Sequence, residues 1–165
     1  MITYRQARQI AESEIKRYQM SNQENLTIVD DLTIEKQYAW IFQYTSERFL
    51  QTGDLSLAIA GNSPLFISKT SGQPSQYRTG LSIDQMIEEY EEENKIWSLS
   101  INSDSLSDSS RLKSVREICK LTIAQVSSLK LTGGLIARGA KQRLLQIQGQ
   151  LSSVNIDTAL SLTTE

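Results

Sequence analysis

The sequence predicts an α+β protein of two small units. The first is a helix, an antiparallel sheet of about four strands and a second helix; the second is a small β-α-α-β-α-β module. Three observations predict this. Trp40, Phe42 and Tyr44 alternate with Ala39, Ile41 and Gln43, the period of two that marks a strand with one face in a core. Tyr4, Ala7, Ala11, Ile15 and Tyr18 recur at intervals of three and four, which places them on one face of an amphipathic helix able to cover that strand. Charge also divides the chain. Residues 1–94 hold 8 Lys and Arg against 14 Asp and Glu, net −6, and residues 95–165 hold 9 against 5, net +4, so a boundary at Asn94–Lys95 separates units of opposite balance.

Thr3 and Gln6 supply a capping box at the start of the first helix. Asn22 to Asn25 break its pattern. Leu26–Ile34 then reads as a strand or a bent pair, with a bulge or turn at Asp30–Asp31. Gly53–Asp54 and Gly61–Asn62 are turn pairs, Pro64 opens the apolar run Leu65, Phe66 and Ile67, and Thr70-Ser71-Gly72 returns the chain toward Ser75–Arg78. Ser82 with Gln85 repeats the capping box before Ile83, Met86, Ile87 and Tyr90.

In the second unit Trp97, Leu99 and Ile101 alternate as a strand, and the Ser/Asp-rich run Asn102–Ser110 reads as an exposed loop. Leu112, Val115, Ile118 and Leu121 form a helical stripe. Thr122 with Gln125 caps a further helix carrying Ile123, Val126 and Leu129, which Gly133–Gly134 ends. Leu135, Ile136 and Ala137 make a short strand, Leu144, Ile147, Leu151 and Val154 a third helix, and Ile156, Thr158, Leu160 and Leu162 a last strand.

Composition narrows the chemistry. The chain has no histidine, which removes the commonest general base and the commonest metal ligand together. It carries no G-x-S-x-G, P-loop or G-x-G-x-x-G motif. The reading is a non-enzymatic protein without cofactor or metal. Cys119 is a single cysteine at helical spacing beside Ile118, a buried thiol rather than a reactive one. Without a secretory apolar segment or an apolar run of about 18 residues, the sequence argues against export or a membrane span and for the cytoplasm. Dispersed basic residues without interleaved aromatics argue against nucleic acid.

One charge cluster stands out. Asp84, Glu88, Glu89, Glu91, Glu92 and Glu93 surround the apolar stripe of the first unit's last helix. Asp84 suits the first turn of a helix, but Glu91 to Glu93 oppose the helix dipole in the last turn, and a basic partner surface would account for them. The candidate partner-binding residues are Asp84, Glu88, Glu89, Glu92 and Glu93, with Asp54 and Asn62 in the loops. Trp40, Phe42 and Tyr44 belong to the core.

The order of Trp40, Phe42 and Tyr44, then Thr52-Gly53-Asp54, Ala60-Gly61-Asn62-Ser63-Pro64 and Thr70-Ser71-Gly72, followed by an acidic helix, resembles the YrhB-like or immunity protein 35 family over residues 1–94. That resemblance implies a cytosolic antidote that binds and neutralises a cognate polymorphic toxin of bacteria. Val115-Arg116-Glu117-Ile118, Leu121, the helix after Thr122 and Arg138-Gly139 resemble the C-terminal domain of ribosomal protein L7/L12 over residues 96–163. The recruiting lysines of that family fall at Ala124 and Ser127 here, and its glycines at Lys120 and Thr122, so the second resemblance implies topology rather than factor binding. The alternative function is a chaperone-like or ribosome-associated accessory protein that binds client segments or a translation factor.

Overall fold

A computed structural model describes residues 1–22 and 25–163, in an α+β arrangement of antiparallel sheets and helices. Backbone proximity divides the chain into two compact units, Met1–Ile83 and Asp84–Glu165. The division falls at the head of the third helix, whereas the charge balance put it after that helix's tail.

In the first unit, α1 (Tyr4–Asn22) starts on the predicted capping box: Thr3 N–H donates to Gln6 Oε1 at 2.8 Å and Gln6 N–H to Thr3 Oγ1 at 3.3 Å. The break expected at Asn22–Asn25 lies largely outside the described residues. The bent pair is present as β1 (Leu26–Ile28) and β2 (Ile34–Glu35), joined through a 3₁₀ turn at Asp30–Leu32. β3 (Ala39–Phe42) and β5 (Leu65–Ser68) are central, pairing Ile41 with Phe66 and Phe42 with Leu65; β2 flanks β3, and β6 (Pro74–Ser75) flanks β5. Gly72, with φ +72°, turns the β5–β6 hairpin where Thr70-Ser71-Gly72 predicted a return.

The helix covers the sheet as its periodicity requires. Ala7, Ala11 and Ile15 are buried with Phe42, Tyr44, Leu65 and Ile67, and each large side chain so buried contributes roughly 1.5–3 kcal/mol. Three expectations fail. The aromatic strand breaks at Gln43, so Tyr44 opens a separate strand, β4 (Tyr44–Ser46), paired with β1 in a second ladder. The face behind the aromatics is also a core face: Ala39, Ile41 and Phe66 are fully buried, and Phe66 meets Tyr77 edge-on at 5.2 Å. Trp40, read as a core residue, is only half-buried, with Tyr4 at 5.1 Å on one side and Lys69 Nζ at 4.3 Å over the ring.

The predicted turn at Gly53–Asp54 follows a helix. A short helix, α2 (Glu47–Thr52), precedes it, because Ser46 Oγ accepts the Phe49 N–H at 3.0 Å and caps a turn that the strand pattern hides. Gly53, with φ +68°, closes α2 in the left-handed conformation that glycine adopts without strain.

In the second unit, α3 (Ile83–Glu93) buries Met86, Ile87 and Tyr90 as predicted. β7 (Trp97–Ile101), α4 (Ser109–Cys119), α5 (Ile123–Thr132), β8 (Gly134–Gly139), α6 (Lys141–Ser152) and β9 (Thr158–Leu162) follow in the β-α-α-β-α-β order. β7 is the centre of a three-stranded antiparallel sheet between β8 and β9. Leu99, Ile101, Val115, Leu129, Leu144 and Leu151 share the core on its covered face. The predicted Thr122–Gln125 capping box is complete. The Asn102–Ser110 run is more structured than an exposed loop: Leu106 is buried in a 3₁₀ turn at Ser103–Leu106, and Asp108 caps α4 by accepting the Arg111 N–H. Asn102 and Asp108 are helix caps in a run that a composition count reads as loop.

Candidate functional site

The family-like turns of the first unit frame an apolar hollow. α2, the 3₁₀ turn Asp30–Leu32, β4 and the loop 58–64 contribute to a cavity of about 310 Å³ lined by Val29, Leu32, Phe49, Leu50, Ile59 and Pro64 among others. A second cavity of about 410 Å³, lined by Tyr18, Leu26, Ala60 and Gly61, shares Tyr44, Ile59 and Asn62 with the first. Leu32 and Leu50, which line the first cavity, are each 50% exposed, and Leu55, which follows α2 in the chain and lines neither cavity, is 80% exposed.

Polar groups fix this hollow's walls. Asn62 Nδ2 donates to the Tyr44 carbonyl, holding the loop against β4. Asp54 accepts from Ser56 N–H at 2.9 Å and Ser56 Oγ at 2.8 Å, and these bonds hold its carboxyl below the usual range. Burial pushes the Tyr44 phenol up, against a hydrogen bond donated by Gln76 at 3.3 Å, so the ring stays neutral at pH 7. The predicted residues Asp54 and Asn62 thus build the loops. Sequence alone does not single out the exposed leucines, because Leu50 and Leu55 flank Gly53 without an apolar periodicity to join.

The acidic helix divides into two faces. Asp84, Glu88 and Glu93 are exposed and Glu89 is half-buried. Glu91 and Glu92 turn instead to the start of α6, whose first residues have no side-chain cap of their own at Ala140. Glu92 Oε2 accepts the Ala140 N–H at 2.9 Å, and Glu91 Oε2 accepts the Lys141 N–H at 2.8 Å. Glu91 Oε1 also accepts Trp97 Nε1–H at 3.0 Å, and Glu91 is only 6% exposed. Arg143 Nε at 3.0 Å and Lys95 Nζ at 2.8 Å complete the ring around Glu92.

This corrects the reading of the last-turn glutamates. Their own helix dipole disfavours them, but the positive end of α6 and two of its orphan N–H groups favour them more. Folding therefore explains Glu91 and Glu92. Partial burial tends to raise the Glu92 pKa, yet Lys95, the Ala140 N–H and Arg143 outweigh it and hold the carboxyl down at about 2. A side chain at Gly139 would collide with that carboxylate and with the Arg143 guanidinium.

No group of three or more His, Cys, Asp or Glu among the described residues is placed to hold a metal ion. Burial raises the Cys119 thiol to about 11, far from a reactive thiolate at pH 7. No helix among the described residues is long and apolar enough to cross a membrane.

Comparison with known proteins bears on the first unit and α3. The family model described as "Immunity protein 35" matches residues 5–93. "Uncharacterized protein YrhB" of Escherichia coli (strain K12) is 31% identical over 67 residues, spanning 41% of this chain and 71% of that protein. No solved structure matches.

Proposed function

The chain belongs to the immunity protein 35 family, and from that premise we propose that it binds a protein toxin and neutralises it by occupying its surface, with no chemistry of its own. The observation that carries this reading is the coincidence of the family match with the stretch that holds the leucine-rimmed hollow. Apolar anchors over a preformed cavity are the usual source of affinity at an interface, while charged surroundings govern encounter. We assign the anchor to Leu50 and the wall at Asn62 on the hollow, with the exposed Leu55 that follows α2 as a further apolar contact, and electrostatic steering of a basic toxin surface to Asp84, Glu88, Glu89 and Glu93. Glu92 contributes less, since its carboxylate is engaged by α6. The proposed compartment is the cytoplasm.

For residues 95–165, the reading as an L7/L12 C-terminal-like module beside the family domain is supported by the order of elements alone. Ala124 and Ser127 offer no cation to a translation factor, so we propose a structural or docking role for it.

Co-expression in bacteria with a toxin encoded in the same locus tests the function. Protection by the wild type, and its loss in a folded Leu50→Asp/Leu55→Asp variant, is the expected result. Unprotected cells despite abundant folded protein, with no complex on co-purification, would overturn it.

A further inference from the structure

The two edges of the second unit's sheet are built differently. β8 carries the features that keep an edge from pairing: a register shift opposite Leu99/Ser100, the exposed charge of Arg138 and glycine at both ends. β9 has none of them. Thr158-Ala159-Leu160-Ser161-Leu162 pairs with β7 in unbroken register and contains no charge, proline or glycine. Among the described residues no strand lies on its outer side.

The backbone groups on that side follow from the ladder. Thr163 N–H donates to the Ile96 carbonyl at 2.8 Å. Because bonded residues alternate in an antiparallel pair, Ala159 and Ser161 bond toward β7, and Leu160 and Leu162 direct N–H and C=O outward. Thr158 also faces outward, and its carbonyl accepts Gln148 Nε2–H at 2.9 Å from α6. The flank is neutral as well. From Leu144 to Thr163 the sole charged residue is Asp157, in a protein that is 22% charged, and Leu145 and Val154 in this stretch are 41% and 39% exposed. Depletion of charge with scattered apolar exposure is the composition of an interface centre.

We infer that β9 pairs antiparallel with β9 of a second copy, joining two three-stranded sheets into one of six across a twofold axis at Leu160. The segment is self-complementary in that register. Leu160 faces Leu160, Thr158 faces Leu162 and Ala159 faces Ser161; the Leu162 N–H takes the Thr158 carbonyl in place of Gln148 Nε2–H, and a shift by two residues in either direction loses pairs. No like charges meet, which removes the repulsion that keeps identical edges apart. A single strand pair with its flanks is a small interface, so association depends on concentration.

Sedimentation of the full chain over a wide concentration range reads this out. The wild type should pass from the mass of one chain to that of two. Ala159 and Ser161 are exposed on the uncovered sheet face, and in this register they are close neighbours across the pair. A159K/S161K therefore sets lysine against lysine twice and should stay a single chain with an unchanged melting midpoint. A159K/S161E sets lysine against glutamate twice and should dimerise, with a dissociation constant that rises with salt as the wild type's does not. A wild type that remains one chain at every concentration overturns the inference, as does dimerisation of A159K/S161K equal to the wild type. If A159K/S161K fails to fold, A159K/S161E decides: a monomer, or a dimer insensitive to salt, overturns the register.

Discussion

In the first unit both faces of the β3–β5 pair are packed: α1 covers Phe42, Leu65 and Ile67, while Ala39, Ile41 and Phe66 are buried behind them. In the second unit the core takes Leu99 and Ile101 from one face of β7, and the other face of the sheet carries Ser98 and Ser100 of β7 and Ser161 of β9. The difference shows in what holds each unit together. The first relies on apolar burial from two sides. The second has one apolar face; long-range polar ties run through both units, Lys69 to Glu35 in the first and, in the second, Glu91 and Glu92 capping α6 from nearly fifty residues away in sequence, as the Ala140–Glu92 separation of 48 shows.

The contrast breaks most sharply under truncation of central side chains. Phe42→Ala should destabilise the first unit by about 3–5 kcal/mol, the cost of an aromatic cavity in a core, whereas Ser100→Ala on the uncovered face of β7 should move stability by only about 0.5 kcal/mol. Denaturant midpoints of the two variants measure this directly. A Phe42→Ala midpoint as high as that of Ser100→Ala would mean that α1 does not pack tightly on that face of the sheet.

Next in size is the polar tie. Glu91→Ala removes the acceptor of both Trp97 Nε1 and the Lys141 N–H, and orphaning those two donors should cost roughly 2–4 kcal/mol. Glu91→Gln keeps one acceptor oxygen and should lose less. If Glu91→Ala melts like the wild type, while amide exchange at Lys141 stays slow, the cap is not what secures α6.

A smaller effect follows from Glu92. Its folded pKa lies near 2, below the ordinary value of 4.5, so its contribution is fully present above pH 4.5 and is lost as pH falls through 2. The side chain is 39% exposed, and solvent and salt screen its pairs with Arg143 and Lys95. Melting midpoints of the wild type should therefore fall faster than those of Glu92→Gln between pH 4.5 and 2, and less so at high salt. Parallel curves for the two proteins would show that Glu92 gains nothing from α6.

How far the sequence reveals each region depends on how local its determinants are. α1, α3 and the helices of the second unit declare themselves by stripes and capping boxes that involve neighbours three or four residues apart. α2 does not, since Phe49 and Leu50 share no stripe and its start is fixed by one hydroxyl at Ser46. The two-sided burial of β3 was hidden because Trp40, Phe42 and Tyr44 alternate as a one-sided strand would, and Ala39 and Ile41 look unremarkable opposite them. For the candidate site, Asp84, Glu88 and Glu93 were legible as a charged face, but the role of Glu91 and Glu92 requires knowing that the uncapped start of α6 lies beside them. Nothing near them in sequence carries that information.

The smallest stability effect is expected where the largest binding effect is proposed. Leu50 and Leu55 are at least half exposed, and Glu88 is an exposed residue of α3, so Leu50→Ser, Leu55→Ser and Glu88→Lys should each shift stability by about 0.5 kcal/mol or less. Their effects on a toxin should separate by mechanism. An apolar anchor that leaves water on binding acts after contact, so the leucine variants should release the toxin faster and leave the association rate near that of the wild type. A charge that attracts a basic surface acts before contact, so Glu88→Lys should slow association, most strongly at low salt and little once ionic strength shortens the screening length below ~10 Å. Surface-captured toxin titrated with each variant at two salt concentrations resolves both rates. Unchanged release from the leucine variants would move the interface away from the hollow, and association of Glu88→Lys as fast as the wild type at low salt would leave α3 as a solubilising face.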